Sequence, residues 1–211
     1  MRKPTRTQRR AIVYSVHPGV EMVQKWVADL PTKTGRSLDQ WLELIRKKGP
    51  PTEKERRDWL KSVHGHGTNS AWWLAERAEG KGAEDGDPEA YLAAAEGYVR
   101  DMFAGNKADL KPVYDALLEL GLSLGEDVKA CPCKTIVPLY RNHVFAQIKP
   151  TTRTRIDLGF ALKDAPATGR LIDTGGYAKK DRITHRIPIS AIADIDDEVR
   201  RWLRTAYDLD A

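Results

Sequence analysis

The chain has little of what most protein chemistry draws on. Its 211 residues include two cysteines, five histidines, three phenylalanines and three methionines. Cys131 and Cys133 stand one residue apart, a spacing that strains a mutual disulfide. Two reduced thiols are therefore expected, and with them a cytoplasmic protein. The histidines offer one close pair, His64-x-His66, and the cysteines another. Neither pair has a third ligand nearby, so no metal is expected. No apolar run is long enough to cross a bilayer, and no membrane association is expected. The basic opening MRKPTRTQRR is followed only by AIVYSV before His17 and Pro18, too short for a signal-peptide core. Phosphate-loop, nucleophile-elbow and HExxH motifs are all missing. Asp127-Val128-Lys129 imitates half of a nuclease metal site, but Asp109 and Asp115, the nearest upstream acids, fall on an expected helix. With no catalytic motif and no cofactor motif, a non-enzymatic protein is the leading expectation.

What the sequence does have is charge. Charged residues make up 31% of the chain, with a net charge of +5. Residues 1–80 carry sixteen Lys and Arg against nine Asp and Glu; residues 81–105 carry two against six; residues 128–190 carry twelve against four. Two basic regions flanking an acidic connector point to an anionic partner.

The first region reads as helices. Ser37 with Gln40, and Thr52 with Glu55, are capping boxes. Leu38, Trp41, Leu42 and Ile45 form one apolar stripe, and Trp59, Leu60 and Val63 a second. Further helices are expected over 18–30 and 69–79. EGKGAEDGDP, residues 79–88, interrupts the pattern, and Asp87-Pro88 opens the next helix. After a helix bearing Leu110, Val113, Tyr114 and Leu117, period two takes over. VKACPCKT, IVPLYR, HVFAQIKP, TRIDLGFAL and RITHRIPIS read as strands, with Asn142 at a hairpin turn. Residues 163–181 are expected as a long loop, and Asp194 as the start of a closing helix. The expected class is α+β: a helical domain with a basic arm over 1–80, a linker over 81–88, and a two-layer domain over 89–211 with a mainly antiparallel sheet and helices on one face.

Two places suggest phosphate contacts. Val63-His64-Gly65-His66-Gly67 followed by Ala71 and Leu74 has the spacing of a helix-hairpin-helix corner. Glycine amides and the next helix's positive end there could hold a phosphate, with Lys61 nearby, although His66 occupies a usually aliphatic position. The alternative is a simple packed corner. In the sheet, alternation puts Ile156, Leu158, Phe160 and Leu162 on one face and Arg153, Arg155 and Asp157 on the other. The last strand directs Ile183, His185, Ile187 and Ile189 inward and Arg182, Thr184 and Arg186 outward. Lys134, Arg141, Gln147 and Lys149 join the polar face if the hairpins pair in sequence.

Two segments resemble known families. KTGRSLDQWLELIRKKG with WLKSVHGHGTNSAWWLA is similar to a small helical bacterial family, domain of unknown function 4287. The stretch from KPVYDALLELGLSLGEDV through the TRIDLGFAL strand to DIDDEVRRWLRTAYD resembles domain of unknown function 5655. The resemblance implies membership and carries no assigned reaction.

Three functional readings follow. The first is a binding or adaptor module contacting DNA or RNA through backbone phosphates, using Lys61, Gly65, His66, Gly67, Arg153, Arg155, Arg182 and Arg186. The second is an enzyme or small-ligand protein with a pocket between the sheet and the 163–181 loop, lined by Lys134, Arg141, Arg155 and His185. The third is a protein-partner module using exposed tryptophans such as Trp72 or Trp73.

Overall fold

The computed structural model describes residues 14–211, so the basic arm expected at the start of the chain lies outside the described residues. The chain divides into two compact units, one over Val16–Gly97 and one over residues 98–211 with Tyr14 and Ser15.

The first unit is helical: α1 (Pro18–Thr34), α2 (Leu38–Lys48), α3 (Glu53–Ser62), α4 (Thr68–Ala78) and the start of α5 (Pro88–Met102). Both expected capping boxes form. The Ser37 and Thr52 hydroxyls accept the backbone N–H of Gln40 and Glu55, whose side chains reach back to the capping amides. Asp87 caps α5 by accepting the Ala90 N–H at 2.8 Å. Helix α1 runs past residue 30, carries Pro31 inside it, and stops at Gly35, whose φ of 76° is readily adopted by glycine. Leu30, Trp41, Ile45, Leu60, Ala71, Trp73, Leu74 and Ala75 form the core. Val63 was expected to face inward with Leu60, but it is 63% exposed. It is the C-cap of α3, where the helical face has already ended.

The second unit builds a six-stranded antiparallel sheet. Its strands are β1 (Lys129–Ala130), β2 (Val137–Tyr140), β3 (Val144–Pro150), β4 (Ile156–Phe160), β5 (Ile172–Asp173) and β6 (His185–Ile189). Their spatial order is β1-β2-β3-β4-β6-β5. Helices α6 (Lys111–Leu122) and α7 (Asp197–Asp208) pack on the sheet. The buried face pairs Ala146 with Phe160, Ile148 with Leu158 and Pro150 with Ile156; β6 then adds His185, Ile187 and Ile189. Leu117, Leu118, Val199 and Leu203 cover these residues from the helices. This is the expected α+β arrangement.

Four expectations change in detail. Strand β1 covers only two residues, so Cys131 and Cys133 lie just beyond it. The 163–181 loop contains β5, which pairs with β6 through Ile172 and Asp173. Alternation fails before β6: Ile183 is half-buried and Thr184 is buried, because the Thr184 hydroxyl accepts the Leu162 N–H at 3.1 Å. Finally, Asp196 caps α7, while Asp194 caps the preceding short turn by accepting the N–H groups of Ser190 and Ala191.

Leu203 is fully buried between α7 and the sheet. Leu203→Ala should lower stability by about 3 kcal/mol, because the cavity it leaves only partly collapses. Urea unfolding would show this as a lower midpoint at an unchanged slope.

Candidate functional site

The face of the sheet away from the helices carries the polar side chains. The register places Lys149 opposite Asp157, and Gln147 opposite Gly159, which in turn faces Arg186 on β6. Asp157 sits at the centre of this group, its side chain only 13% exposed. Its Oδ1 accepts a hydrogen bond from Arg186 at 3.1 Å, and its Oδ2 accepts the Thr151 hydroxyl at 2.8 Å. Arg155 Nε lies 3.0 Å from the same Oδ1 but is misaligned for a hydrogen bond, so that contact is a charge pair only. Arg153 falls in the turn before β4, where strand alternation does not reach, and is exposed. The cluster thus sets Lys149, Arg155 and Arg186 against one carboxylate. A half-buried carboxylate shared by two guanidinium groups orders both without cancelling the second charge.

Arg182 does not belong to this cluster. Its Nε donates to the Val144 carbonyl at 2.8 Å, and its terminal nitrogen bonds to Asp210. Asp210 is buried, and it also accepts the His143 N–H at 2.7 Å and contacts His143 Nδ1 at 3.1 Å. The Asn142 amide donates to the Asp210 carbonyl at 2.8 Å. Together these bonds clasp the end of the chain to the β2–β3 turn. Nothing in the sequence marks Asp210 as buried, since its partners lie at least 28 positions away.

The glycine–histidine bend is a packed corner between α3 and α4. Gly65 has φ of 70° and open space around it, and Gly67 is the exposed N-cap of α4. Lys61 is also exposed. His66, however, is 8% exposed and turned inward. Its backbone N–H donates to the Leu60 carbonyl at 3.0 Å, and Nδ1 lies 2.8 Å from the Ser70 hydroxyl. The rings of His64 and His66 meet Trp41 edge-to-face, with centroids 5.2 and 4.5 Å away, and His64 meets Trp59 at 4.4 Å. His66 therefore fills the space between helices that an aliphatic residue would take. Burial lowers the pKa of both rings. Arg36 adds to the effect at His64, and His64 adds to it at His66.

The four residues of the alternative pocket do not gather. His185 is on the helix-covered face. Its Nε2 donates to the Ala165 carbonyl at 2.8 Å, which leaves Nδ1 to accept from the Thr184 hydroxyl at 2.8 Å. Both nitrogens are thus used in fastening the loop after β4. Arg155 is on the opposite face. Arg141 lies at the β2–β3 turn, where Nε donates to Asp127 at 2.8 Å and the guanidinium covers the Tyr207 ring. Lys134 is exposed ahead of β2. Asp127 also accepts the Tyr207 hydroxyl at 2.7 Å; that bond first, and the Arg141 bond second, hold its carboxyl below the usual range. The acid of the nuclease-like Asp127-x-Lys129 pair is therefore part of a packing network. Cys131 is buried, and burial pushes its thiol up to about 12. Among the described residues no group of three or more His, Cys, Asp or Glu side chains is placed to hold a metal ion. Likewise, no helix among them is long and apolar enough to cross a membrane.

A family model described as Domain of unknown function (DUF5655) matches residues 99–210. The chain belongs to the DUF5655 family. A second model, Domain of unknown function (DUF4287), matches residues 22–79, so the DUF5655 segment follows a DUF4287 segment in this chain. No curated protein and no solved structure matches it. The polar face, the Asp210 clasp and the His185 loop tie all fall within the DUF5655 segment, whereas the glycine–histidine bend falls within DUF4287.

Two predictions concern the bend. A histidine whose folded pKa is depressed stabilises the fold fully above its unfolded value of 6.5 and progressively less as pH falls below it. Thermal unfolding at about pH 7.5 and about pH 5 should show a lower Tm in acid, and His66→Gln should narrow that gap. Gly65→Ala should destabilise by about 1 kcal/mol, because a side chain at positive φ is strained even where space is open. An unchanged denaturation midpoint would contradict this.

Proposed function

We propose that this chain is a non-enzymatic binding or adaptor module of the cytoplasm, and that the open face of its sheet contacts phosphates of a nucleic acid. The observation that carries this reading is the imbalance around Asp157. One carboxylate hydrogen-bonds Arg186 and pairs in charge with Arg155, and Lys149 stands opposite it in register, exposed. Guanidinium groups fixed in this way suit phosphate oxygens, and contacts of this type bind without reading sequence. In this reading residues 1–80 and 89–211 are two modules joined by 81–88. The DUF4287 bend contributes structure, since His66 is spent on packing. Arg182 is likewise occupied in the C-terminal clasp.

The test is a mobility-shift series with generic DNA and RNA at low and moderate salt. The full chain should bind both at low salt and release them as salt rises. Lys149→Gln and Arg186→Gln should each weaken binding about five-fold and lower the slope of log affinity against log salt by about one. Absence of any shift at low salt would end the proposal.

A further inference from the structure

The open face leads into a turn with an exposed aromatic ring. Strands β5 and β6 are joined through residues 174–184, and this connection is tightly bonded. Thr174 donates from both its N–H and its hydroxyl to the Thr184 carbonyl, at 2.9 and 2.8 Å. The Gly175 N–H bonds to Asp173 Oδ1 at 2.7 Å, and the Gly176 carbonyl accepts the N–H groups of Lys179 at 3.0 Å and Asp181 at 2.9 Å. Gly176 is buried, and a Cβ there would collide with the Ile183 carbonyl. The turn is therefore braced against Ile183 and Thr184. Ile183 in turn lies over Gly159, its Cγ2 2.7 Å from where a Cβ would stand. Gly159 is flanked in register by Gln147 and Arg186. One surface thus runs from Lys149 and Asp157 past Arg186 and Gly159 to Ile183 and the turn.

In the turn that follows, next to Gly176, Tyr177 is 57% exposed. A tyrosine left in water on a floppy segment would mean little, but this one is presented by a bonded turn. Lys179 and Lys180 follow it, both exposed, and Lys180 adopts φ of 60°, a conformation lysine rarely takes. Two acids share the turn, Asp173 and Asp181, and Asp173 has one oxygen committed to Gly175.

We infer that this surface takes a single nucleic-acid strand, with phosphates along Lys149, Arg155 and Arg186 and one unstacked base on the ring of Tyr177. The inference rests on the phosphate-binding reading above and narrows its partner class. Bases in a duplex are already stacked on each other and offer only edges in the grooves, whereas a strand with free base faces can use a projecting ring. Base stacking tolerates any sequence, as phosphate contacts do.

The experiment is fluorescence anisotropy on the full chain with labelled single-stranded RNA, single-stranded DNA, duplex DNA of about a dozen nucleotides, and polyglutamate, the oligonucleotide length lying within the range of known single-strand sites. The wild type should bind either single strand more tightly than the duplex. Tyr177→Ala should weaken single-strand binding about ten-fold, with little effect on the duplex, and Tyr177→Phe should retain it. Because Tyr177 is exposed, circular dichroism of both variants should match the wild type. If Tyr177→Ala binds single strands like the wild type while Lys149→Gln does not, the face uses charge alone; the stacking inference falls and the phosphate reading stands. Tighter binding to duplex than to single strands would also overturn it. If no nucleic acid binds, both fall; binding of the polyglutamate probe alone would make an acidic protein the partner.

Discussion

The two-sidedness of the antiparallel sheet governs the DUF5655 segment. Because successive side chains point to opposite faces, one run of residues decides both what is buried and what is offered. On β4, Ile156, Leu158 and Phe160 go under α6 and α7, while Asp157 and Gly159 go to the open face. Each large apolar side chain sealed this way contributes roughly 1.5–3 kcal/mol. A register slip of one residue would put Asp157 into the core and Ile156, Leu158 and Phe160 into water. The site and the core are therefore fixed by the same pairing.

Three carboxylates illustrate how polar groups are placed around that core. Asp210 is buried and surrounded by Arg182, the His143 amide and the His143 ring, so it closes the fold. Asp127 takes the Tyr207 hydroxyl and Arg141 and ties α7 to the start of the sheet. Asp157 differs in that it is shared between two arginines on an uncovered face. Each of the first two is matched to one guanidinium; the third meets two, on a face that also carries Lys149. That contrast separates packing arginines from candidate contact arginines more sharply than sequence position does.

Features set by neighbouring residues were legible from sequence. Ser37, Thr52 and Asp87 cap helices because the partner amides lie within three positions. The apolar alternation of β4 and most of β6 likewise reports its own burial. Features set by distant partners were not. Thr184 turns inward because Leu162 needs an acceptor, and that displaces Ile183 onto Gly159. Strand β5 has two residues and too little pattern to announce itself. For the candidate site, alternation found Arg155 and Arg186, but it also nominated Arg182, whose bond to Asp210 spans 28 positions. His66 was located by its glycines, yet only its contact with Trp41 decides that it packs. Tyr177 carried no periodic signal at all, since it lies in a turn between strands.

The sheet's flanks are closed as firmly as its inner layer. Both outermost strands, β1 and β5, are two residues long, and β6 beyond its pairing with β5 holds Pro188, which has no N–H to donate. Short margins and an edge proline deny a foreign strand the ladder it would need to extend the sheet. Lateral growth into fibrils or edge-to-edge dimers is thereby disfavoured. Under the proposed function, contact with another molecule would then fall to the side chains of the sheet's polar face rather than to its edges.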